Sequence, residues 1–311
     1  MNNLSTDETW AVTEFADAEL GDLRRTQRLV ELATVLAQRP SASLPEACGG
    51  DRALLQATYR CFDNAAVAPP ELLQSPSDAT LLRLSTVPGV VAVQDTTAVD
   101  GTAHPTTTGL GPLTHPAHRG LPVHTTLAFT PERVPLGLLA QIGNREADVY
   151  DLCLVPRPAG VEVLVRAAWD RRVVHAEQYL WAALAARPIA ASLTLQVPRR
   201  GAQAARVATR TLRFGPLTLR PPRHRARERL PLMPLWAIQV LEDVPPAEAE
   251  PIAWLLLTTT VVPDVATATR CLDWYGGRWG IAVWQKILKS GCQIAARQLG
   301  TAEGLERCLV L

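Results

Sequence analysis

A short apolar run in the first third of the chain separates two kinds of sequence. Residues 90–97 read VVAVQDTT, and their apolar beginning is typical of a buried β-strand that ends at Asp95. Residues 7 to about 85 show helical periodicity, whereas the residues after the run form strand-like segments separated by loops rich in proline, glycine and arginine. The 311-residue chain is therefore predicted to have an α/β fold in which helices come first.

Three helices are predicted before this run. The first lies between Asp22, which can cap it, and Pro40. The second spans residues 51–63, and the third opens at Pro69 and reaches about Leu84. An arginine-rich surface is expected on these helices, formed by Arg24, Arg25, Arg28, Arg52 and Arg60.

A loop from Thr96 to Leu121 and a β-hairpin are predicted next. The hairpin strands are Val123–Phe129 and Val134–Ile142, and a short helix reaching Leu154 follows them. Further strands are expected at residues 161–167, 193–198, 205–220, 234–242 and 251–260. Two closing helices are expected at about 264–277 and 278–298.

The near-neutral charge of the chain hides a local excess of arginine. The formal net charge is +1, yet residues 199–229 contain ten arginines and one acid, Glu228. One interpretation is a phosphate-binding surface, and the other is a solvated basic loop. The ten arginines are Arg199, Arg200, Arg206, Arg210, Arg213, Arg220, Arg223, Arg225, Arg227 and Arg229.

Composition excludes several classes of protein. No run approaches the roughly 18 apolar residues of a membrane helix, and the first 22 residues carry six acids and no base, unlike a targeting leader. The six scattered cysteines lack a C-x-x-C pair, which argues against a disulfide framework and indicates a reducing cytoplasm. His115 and His118 form an H-x-x-H pair without evident further zinc ligands. The motifs of nucleotide binding and serine hydrolysis are absent.

Two sets of residues are candidates for chemistry. Asp95 at a strand end suits a hard cation, and the alternative is a carboxylate that caps the next turn. In one continuous helix, Tyr275, Arg278, Ala282 and Lys289 would fall within a band about 60° wide. That band is either a phosphate-contacting face or an ordinary polar face.

Several motifs, in order along nearly the whole chain, resemble DDE transposases of insertion-sequence family four, of the Tn-five-like type. Residues 20–29, 43–48 and 56–60 resemble the family's end-binding helices. Residues 93–97 resemble the strand with the first catalytic Asp, and residues 143–148 the second acidic motif. Residues 275–289 resemble the Y-x2-R-x3-E-x6-K signature.

This resemblance implies an RNase-H-like catalytic core (87–311), interrupted by a β-rich insertion at about 160–260 and preceded by a helical DNA-binding domain (1–86). It implies DNA recombination of a transposable element, with Mg²⁺ held by three carboxylates. Double-stranded transposon ends and a homodimer are the implied partners, in the bacterial cytoplasm at the nucleoid. The resemblance assigns DNA contacts to Arg24, Arg25, Arg28, Arg60, Tyr275, Arg278 and Lys289.

The sequence departs from the family pattern at decisive positions. Asp95 keeps the first acid and is the expected metal ligand, but Asn144 stands at the second acid and Ala282 at the third. The segment after Leu139 is short, and the chain ends before the family's dimerisation helices. Impaired Mg²⁺ binding and a catalytically defective transposase-like protein are therefore predicted. The alternatives are an enzyme with substituted ligands, or a retained DNA-binding or inhibitory protein without strand-transfer activity.

Overall fold

A computed structural model of the protein describes residues 6–142, 149–197, 199, 204–245 and 251–311. The chain forms two compact units. The terminal unit consists of residues 1–146 and 277–311, and the internal unit of residues 147–276. The sequence prediction treated residues 1–86 as a domain of their own, but in the structure these helices share a compact unit with a sheet and with the C-terminal segment.

The terminal unit begins with the predicted helices. They are α1 (Thr6–Phe15), α2 (Leu23–Gln38), α3 (Leu44–Ala47), α4 (Arg52–Asp63) and α5 (Pro69–Leu84). The predicted cap of α2 is confirmed, because a carboxylate oxygen of Asp22 accepts a hydrogen bond from the backbone N–H of Arg24 at 2.9 Å. Asp51 caps α4 in the same way, accepting from two backbone N–H groups.

Apolar faces join these helices. Phe15 of α1, Leu29 of α2 and Leu72 of α5 are buried together in one cluster. Phe62 of α4 belongs to a second cluster, which includes residues of the C-terminal segment. Because buried residues recur every three or four positions on α2, its other face is left to polar side chains.

The sheet of the terminal unit is built around one long strand. Its strands are β1 (Val91–Asp100), β2 (Gly111–Pro112), β3 (Arg119–Phe129) and β4 (Pro135–Ile142), and β3 pairs antiparallel with each of the other three. The predicted hairpin is confirmed. The RNase-H-like core stays a prediction, since the named strands of this sheet are all paired antiparallel in the part of the chain that the structure describes.

Two predictions around Asp95 are wrong. β1 continues five residues beyond Asp95 and β3 begins at Arg119, so both ends of the predicted loop are strand. Asp95 therefore lies in mid-strand, opposite Thr125. The physical reason is that the following residues are mainly threonine and valine, whose branched side chains suit a strand, and Val99 is buried.

The internal unit contains a five-stranded antiparallel sheet. Its elements are α6 (Val149–Leu154), β5 (Leu164–Arg166), α7 (Leu180–Ala185), β6 (Ala191–Val197), β7 (Arg206–Leu219), β8 (Met233–Glu242), β9 (Ala253–Thr258) and α8 (Val265–Gly277). The strand order is β5-β9-β8-β7-β6, with α7 in the cluster on one face and α8 in the cluster on the other. The predicted strands are confirmed in position, whereas α7 was not predicted.

The C-terminal segment differs from the predicted single helix. It contains α9 (Trp279–Lys286), a π-helical turn at Ile287–Gly291, a 3-10 turn at Ile294–Ala296 and α10 (Ala302–Val310). The helix predicted to reach residue 298 thus ends early, and α10 was not predicted. Among the described residues, no helix combines the length and the apolar character needed to cross a lipid bilayer.

Candidate nucleic-acid interface

Arginines at the start of α2 point outwards but have local partners. The side chain of Arg24 is 88% exposed, and its Nη2 lies 2.9 Å from a carboxylate oxygen of Asp22. Hydrogen bonds from Arg24 lower the pKa of Asp22 to about 2, and the same pair raises the pKa of Arg24. Arg25 is half-buried and donates from Nη1 to the carbonyl of Leu20 at 2.8 Å. Arg24 is thus the more accessible of the two.

The next arginines lie on α2 and α4. Arg28 forms an ion pair with Glu31 one turn further along α2. Arg60 of α4 is exposed and makes no hydrogen bond or ion pair among the described residues. Arg28 also lies near Cys61: burial raises the pKa of that thiol, and the Arg28 charge opposes this rise. The charge of Arg28 is therefore close to the residue that follows Arg60.

Helix geometry extends the basic surface along α4. Arg52, Gln56 and Arg60 are spaced four residues apart and are all exposed. Thr58 and Phe62 on the other side of the helix are buried. A stripe of two guanidinium groups and one amide therefore faces solvent on α4, and all three groups can donate hydrogen bonds to phosphate oxygens.

The arginine excess at residues 199–229 does not form a single surface. Arg206 pairs with Glu242 of β8, whose side chain is 1% exposed. Arg210 is buried, and this burial lowers its pKa. Arg213 donates from Nε to the carbonyl of Arg187 at 3.1 Å. Both interpretations of this stretch, a phosphate-binding surface and a solvated loop, are therefore wrong for these three arginines, because β7 directs them into contacts within the internal unit.

The rest of that stretch is more accessible. Arg225 is engaged by Glu228 in a 3-10 turn at Arg223–Glu228. The exposed arginines of the stretch are Arg199, Arg220, Arg223, Arg227 and Arg229. Arg200 lies outside the described residues. We call these five exposed side chains the internal-unit arginines.

Asp95 faces a cation supplied by the protein itself. Its Oδ2 lies 3.7 Å from Nη1 of Arg278, and its Oδ1 accepts a hydrogen bond from the backbone N–H of Thr96 at 3.0 Å. The hydroxyl of Thr125 opposite is buried and has no partner among the described residues. The carboxylate of Asp95 therefore has a guanidinium group as its counter-charge.

Close packing places α9 beside Asp95. Ile281 is fully buried in a cluster with Val93, Leu127 and Phe129. Gly280 permits this approach, because a Cβ atom at that position would lie 2.6 Å from Cζ of Phe129. Ala282 follows Ile281 on α9. The residue at the third acid's position in the family pattern therefore lies on the helix that packs against β1.

The described residues do not fit the implied pair of Mg²⁺ ions. Ala282 offers a methyl group, and no three His, Cys, Asp or Glu side chains converge to hold a metal in the described ranges. Asn144, at the second acid's position, lies outside the described residues. The rings of His115 and His118 are tilted by 57° with centroids 5.0 Å apart, and His118 Nδ1 lies 2.9 Å from Oδ2 of Asp100.

The predicted single helical face of the signature residues is wrong. α8 ends at Gly277, α9 begins at Trp279, and Lys289 lies in the π-helical turn, so regular 100° spacing does not hold from residue 275 to 289. Arg278 and Asp95 are neighbours, as predicted. Tyr275 belongs to the internal unit, where its ring packs edge-on against Trp254 at 5.3 Å. A groove shared by Tyr275, Lys289 and Asp95 stays a prediction.

Sequence reasoning missed two buried arginines that support the helices. Arg297 and Arg307 lie in the C-terminal segment and are 8% and 7% exposed. Both donate to backbone carbonyls of the N-terminal region. A signal was present, since Arg307 sits between Leu305 and Leu309, on a helix with apolar residues around it. Its partners, however, are more than two hundred residues away in the chain.

A comparison with known protein families identifies the helical region. Residues 7–67 match the family model described as transposase DNA-binding. The matched range extends from α1 through α4 and stops just before α5. It contains Arg24, Arg25, Arg28 and Arg60, which the structure places on α2 and α4. The N-terminal helices are thus similar to transposase DNA-binding domains, and this similarity supports a transposase-like DNA-binding role for the protein.

Proposed function

We propose that the protein binds double-stranded DNA at transposon ends through α2 and α4, and that it does not cleave DNA. The observation that carries the proposal is the family match over the helices that carry the exposed residues Arg24, Arg52 and Arg60. By the resemblance of its other motifs, the chain derives from a DDE transposase of insertion-sequence family four, of the Tn-five-like type. An RNase-H-like core, homodimerisation and a place at the bacterial nucleoid belong to the same proposal.

Charge and geometry support phosphate binding by these helices. Guanidinium groups donate several hydrogen bonds in a fixed plane and stay charged, which suits phosphate oxygens. Arg60 has no competing partner among the described residues, and Arg24 is held only by an exposed ion pair. Exposed pairs are worth about 0–1 kcal/mol, so a phosphate group displaces Asp22 from Arg24 at little cost.

The surroundings of Asp95 support the absence of cleavage. Two-metal phosphoryl transfer requires several carboxylates around both ions. Here Asp95 faces Arg278, and the third acid is replaced by Ala282. The guanidinium group repels a divalent cation from the remaining carboxylate.

The test uses labelled DNA from the sequences that flank the gene, in which inverted repeats are searched for as the candidate transposon ends. We expect specific binding whose logarithmic affinity falls with the logarithm of salt concentration, by about 0.9 for each phosphate neutralised. Random DNA of equal length is the control. Salt-insensitive binding, or equal affinity for both DNAs, contradicts transposon-end recognition.

Cleavage is tested separately on supercoiled and linear end-containing DNA. We expect no nicking and no joining with Mg²⁺ or Mn²⁺, because the described residues supply too few carboxylates for either ion. Restoring the acids with Asn144→Asp and Ala282→Glu should increase divalent-ion binding, measured by calorimetry. Nicking by the unaltered protein that disappears in Asp95→Ala contradicts the proposal.

A further inference from the structure

The last helix of the chain completes the core of the DNA-binding helices. Leu305, Cys308 and Leu309 of α10 are buried in the same cluster as Leu44 and Phe62. α10 packs against both α4 and α5. The region that matches the DNA-binding family ends at residue 67, yet its hydrophobic core includes residues from the C-terminus.

Arg307 binds the end of α4. Its Nη1 donates to the carbonyl of Phe62 at 2.7 Å, and its Nε donates to the carbonyl of Val67 at 2.6 Å. The last carbonyls of a helix have no partner within the helix, and a cation at this end is favoured by the helix dipole. Since Arg307 is 7% exposed, water cannot easily replace it at these carbonyls.

Arg297 binds the segment between α2 and α3 in a similar way. Its Nη1 donates to the carbonyl of Ala42 at 2.6 Å, and its Nη2 donates to the carbonyl of Pro40 at 2.9 Å. The C-terminal segment therefore fixes the chain just after α2 and just after α4, the two helices that carry the exposed arginines.

We propose that Arg307 is a positioning residue for DNA binding, which holds the last turn of α4 so that Arg60 and Arg28 meet the same DNA backbone. This inference rests on the proposed function. Arg60 lies in that last turn, two residues before Phe62. Burial raises the pKa of the Cys61 thiol, and the charges of Arg28 and Arg307 oppose this rise, so both cations lie near the residue that follows Arg60. Without Arg307, two buried carbonyls lose their donors, and this turn frays.

The experiment compares full-length Arg307→Met and Arg307→Lys with the unaltered protein. A matched control is Arg210→Met, because Arg210 is equally buried but lies in β7 of the internal unit. Thermal unfolding, the active fraction from stoichiometric titration, and the DNA affinity at several salt concentrations are measured for each. A purely structural role lowers the unfolding temperature and the active fraction, but leaves the salt slope of the active protein unchanged.

For Arg307→Met we expect roughly tenfold weaker binding by the active fraction and a salt slope shallower by about 0.9, as for the loss of one phosphate contact. Arg307→Lys should lie between, because an ammonium group still donates to the carbonyls. Arg210→Met should keep the affinity and slope of the unaltered protein. If Arg307→Met does not fold, Arg307→Lys tests the positioning role instead. A salt slope shallower than that of the unaltered protein is expected for this variant too.

Unchanged affinity and slope in the active fraction of the Arg307 variants would overturn the positioning role. An equal change in Arg210→Met would overturn it as well, since a remote buried arginine would then have the same effect. These outcomes differ from failure of the proposed function, in which the unaltered protein itself does not bind end-containing DNA in a salt-dependent way.

Discussion

The arginines of the N-terminal helices and those of β7 carry the same charge but have different surroundings. Arg24 is 88% exposed on α2, and Arg60 is exposed on α4. Arg206 and Arg210 lie among strand contacts of the internal unit, where Arg210 is 7% exposed. Several arginines of the densest run in the sequence are thus used in contacts within the internal unit. The more widely spaced arginines of the helices remain accessible to a partner.

The number of arginines in a stretch of sequence therefore does not locate a binding surface. In β7, alternate residues point to the same face, so Arg206 and Arg210 share a face with the buried Ala208 and Leu212. In α2 and α4, the helical period separates buried apolar residues from exposed basic ones. The position of each arginine within its element therefore decides between structural support and recognition.

The largest effect is expected from breaking the pair of Arg206 and Glu242. Arg206→Met leaves a carboxylate that is 1% exposed without its cation, and the free energy of unfolding should fall by about 3–5 kcal/mol. Denaturant unfolding measures this loss. DNA affinity of the folded fraction should not change, because Arg206 already has a protein partner.

The double variant Arg206→Met with Glu242→Leu is the control for this prediction. Removing both charges should restore most of the stability, since an apolar pair of similar volume replaces the buried ion pair. A loss of DNA affinity in the folded Arg206→Met protein would mean that strand arginines also contact DNA, and the distinction between the two regions would fail.

A smaller effect is expected at Arg278. This prediction tests whether Arg278 supports the structure, as Arg206 does, or is available to DNA, as Arg60 is. Asp95→Asn removes the carboxylate 3.7 Å from the half-exposed guanidinium group of Arg278, so this counter-charge no longer competes with phosphate. DNA affinity should rise up to about fivefold, the upper range for an exposed ion pair. Asp243→Asn, at an exposed site in the internal unit, is the control for the added charge. Equal gains in both variants would show a general charge effect.

The smallest effect concerns Asp22 and its pH dependence. The Arg24 hydrogen bonds lower the pKa of Asp22 from 3.8 to about 2. The stabilising contribution of this carboxylate is therefore complete above pH 3.8 and is lost as the pH falls through about 2. Acid titration followed by NMR of the Asp22 carboxyl carbon checks the value. A midpoint near 3.8 would show that Arg24 is not paired in solution.

The sequence predicts the helices better than the contacts between distant segments. The boundaries of α2 and α4 follow from local signals, namely the capping residues Asp22 and Asp51 and the helical spacing of leucines. The extension of β1 beyond Asp95 was missed, because a polar residue in mid-strand resembles a strand end. The second closing helix, predicted at about 278–298, is shorter in the structure, because α9 ends at Lys286 and a π-helical turn follows.

The candidate site shows the same division. The resemblance of local motifs identified the helical arginines as candidates for DNA contact, and the family match covers them. The burial of Arg210 depends on β8 and α8, which are remote in sequence, and the contacts of Arg307 join residues 240 positions apart. Such long-range pairings are not encoded in any short pattern, so the partners of the supporting arginines could not be predicted from the sequence.

The most direct test removes the same number of charges from the arginines of α2 and α4 and from the internal-unit arginines. One triple variant carries Arg24→Ala, Arg28→Ala and Arg60→Ala, and the other carries Ala at three internal-unit arginines, Arg223, Arg227 and Arg229. Fluorescence anisotropy measures the affinity of each for end-containing DNA and for random DNA at the same salt concentration.

We expect the helical variant to lose end preference and most of its affinity, with a salt slope shallower by about 2.7 for three phosphate contacts. The internal-unit variant should keep end preference and most of the affinity. Equal losses in the two variants, or a larger loss in the internal-unit variant, would contradict the account that α2 and α4 recognise DNA.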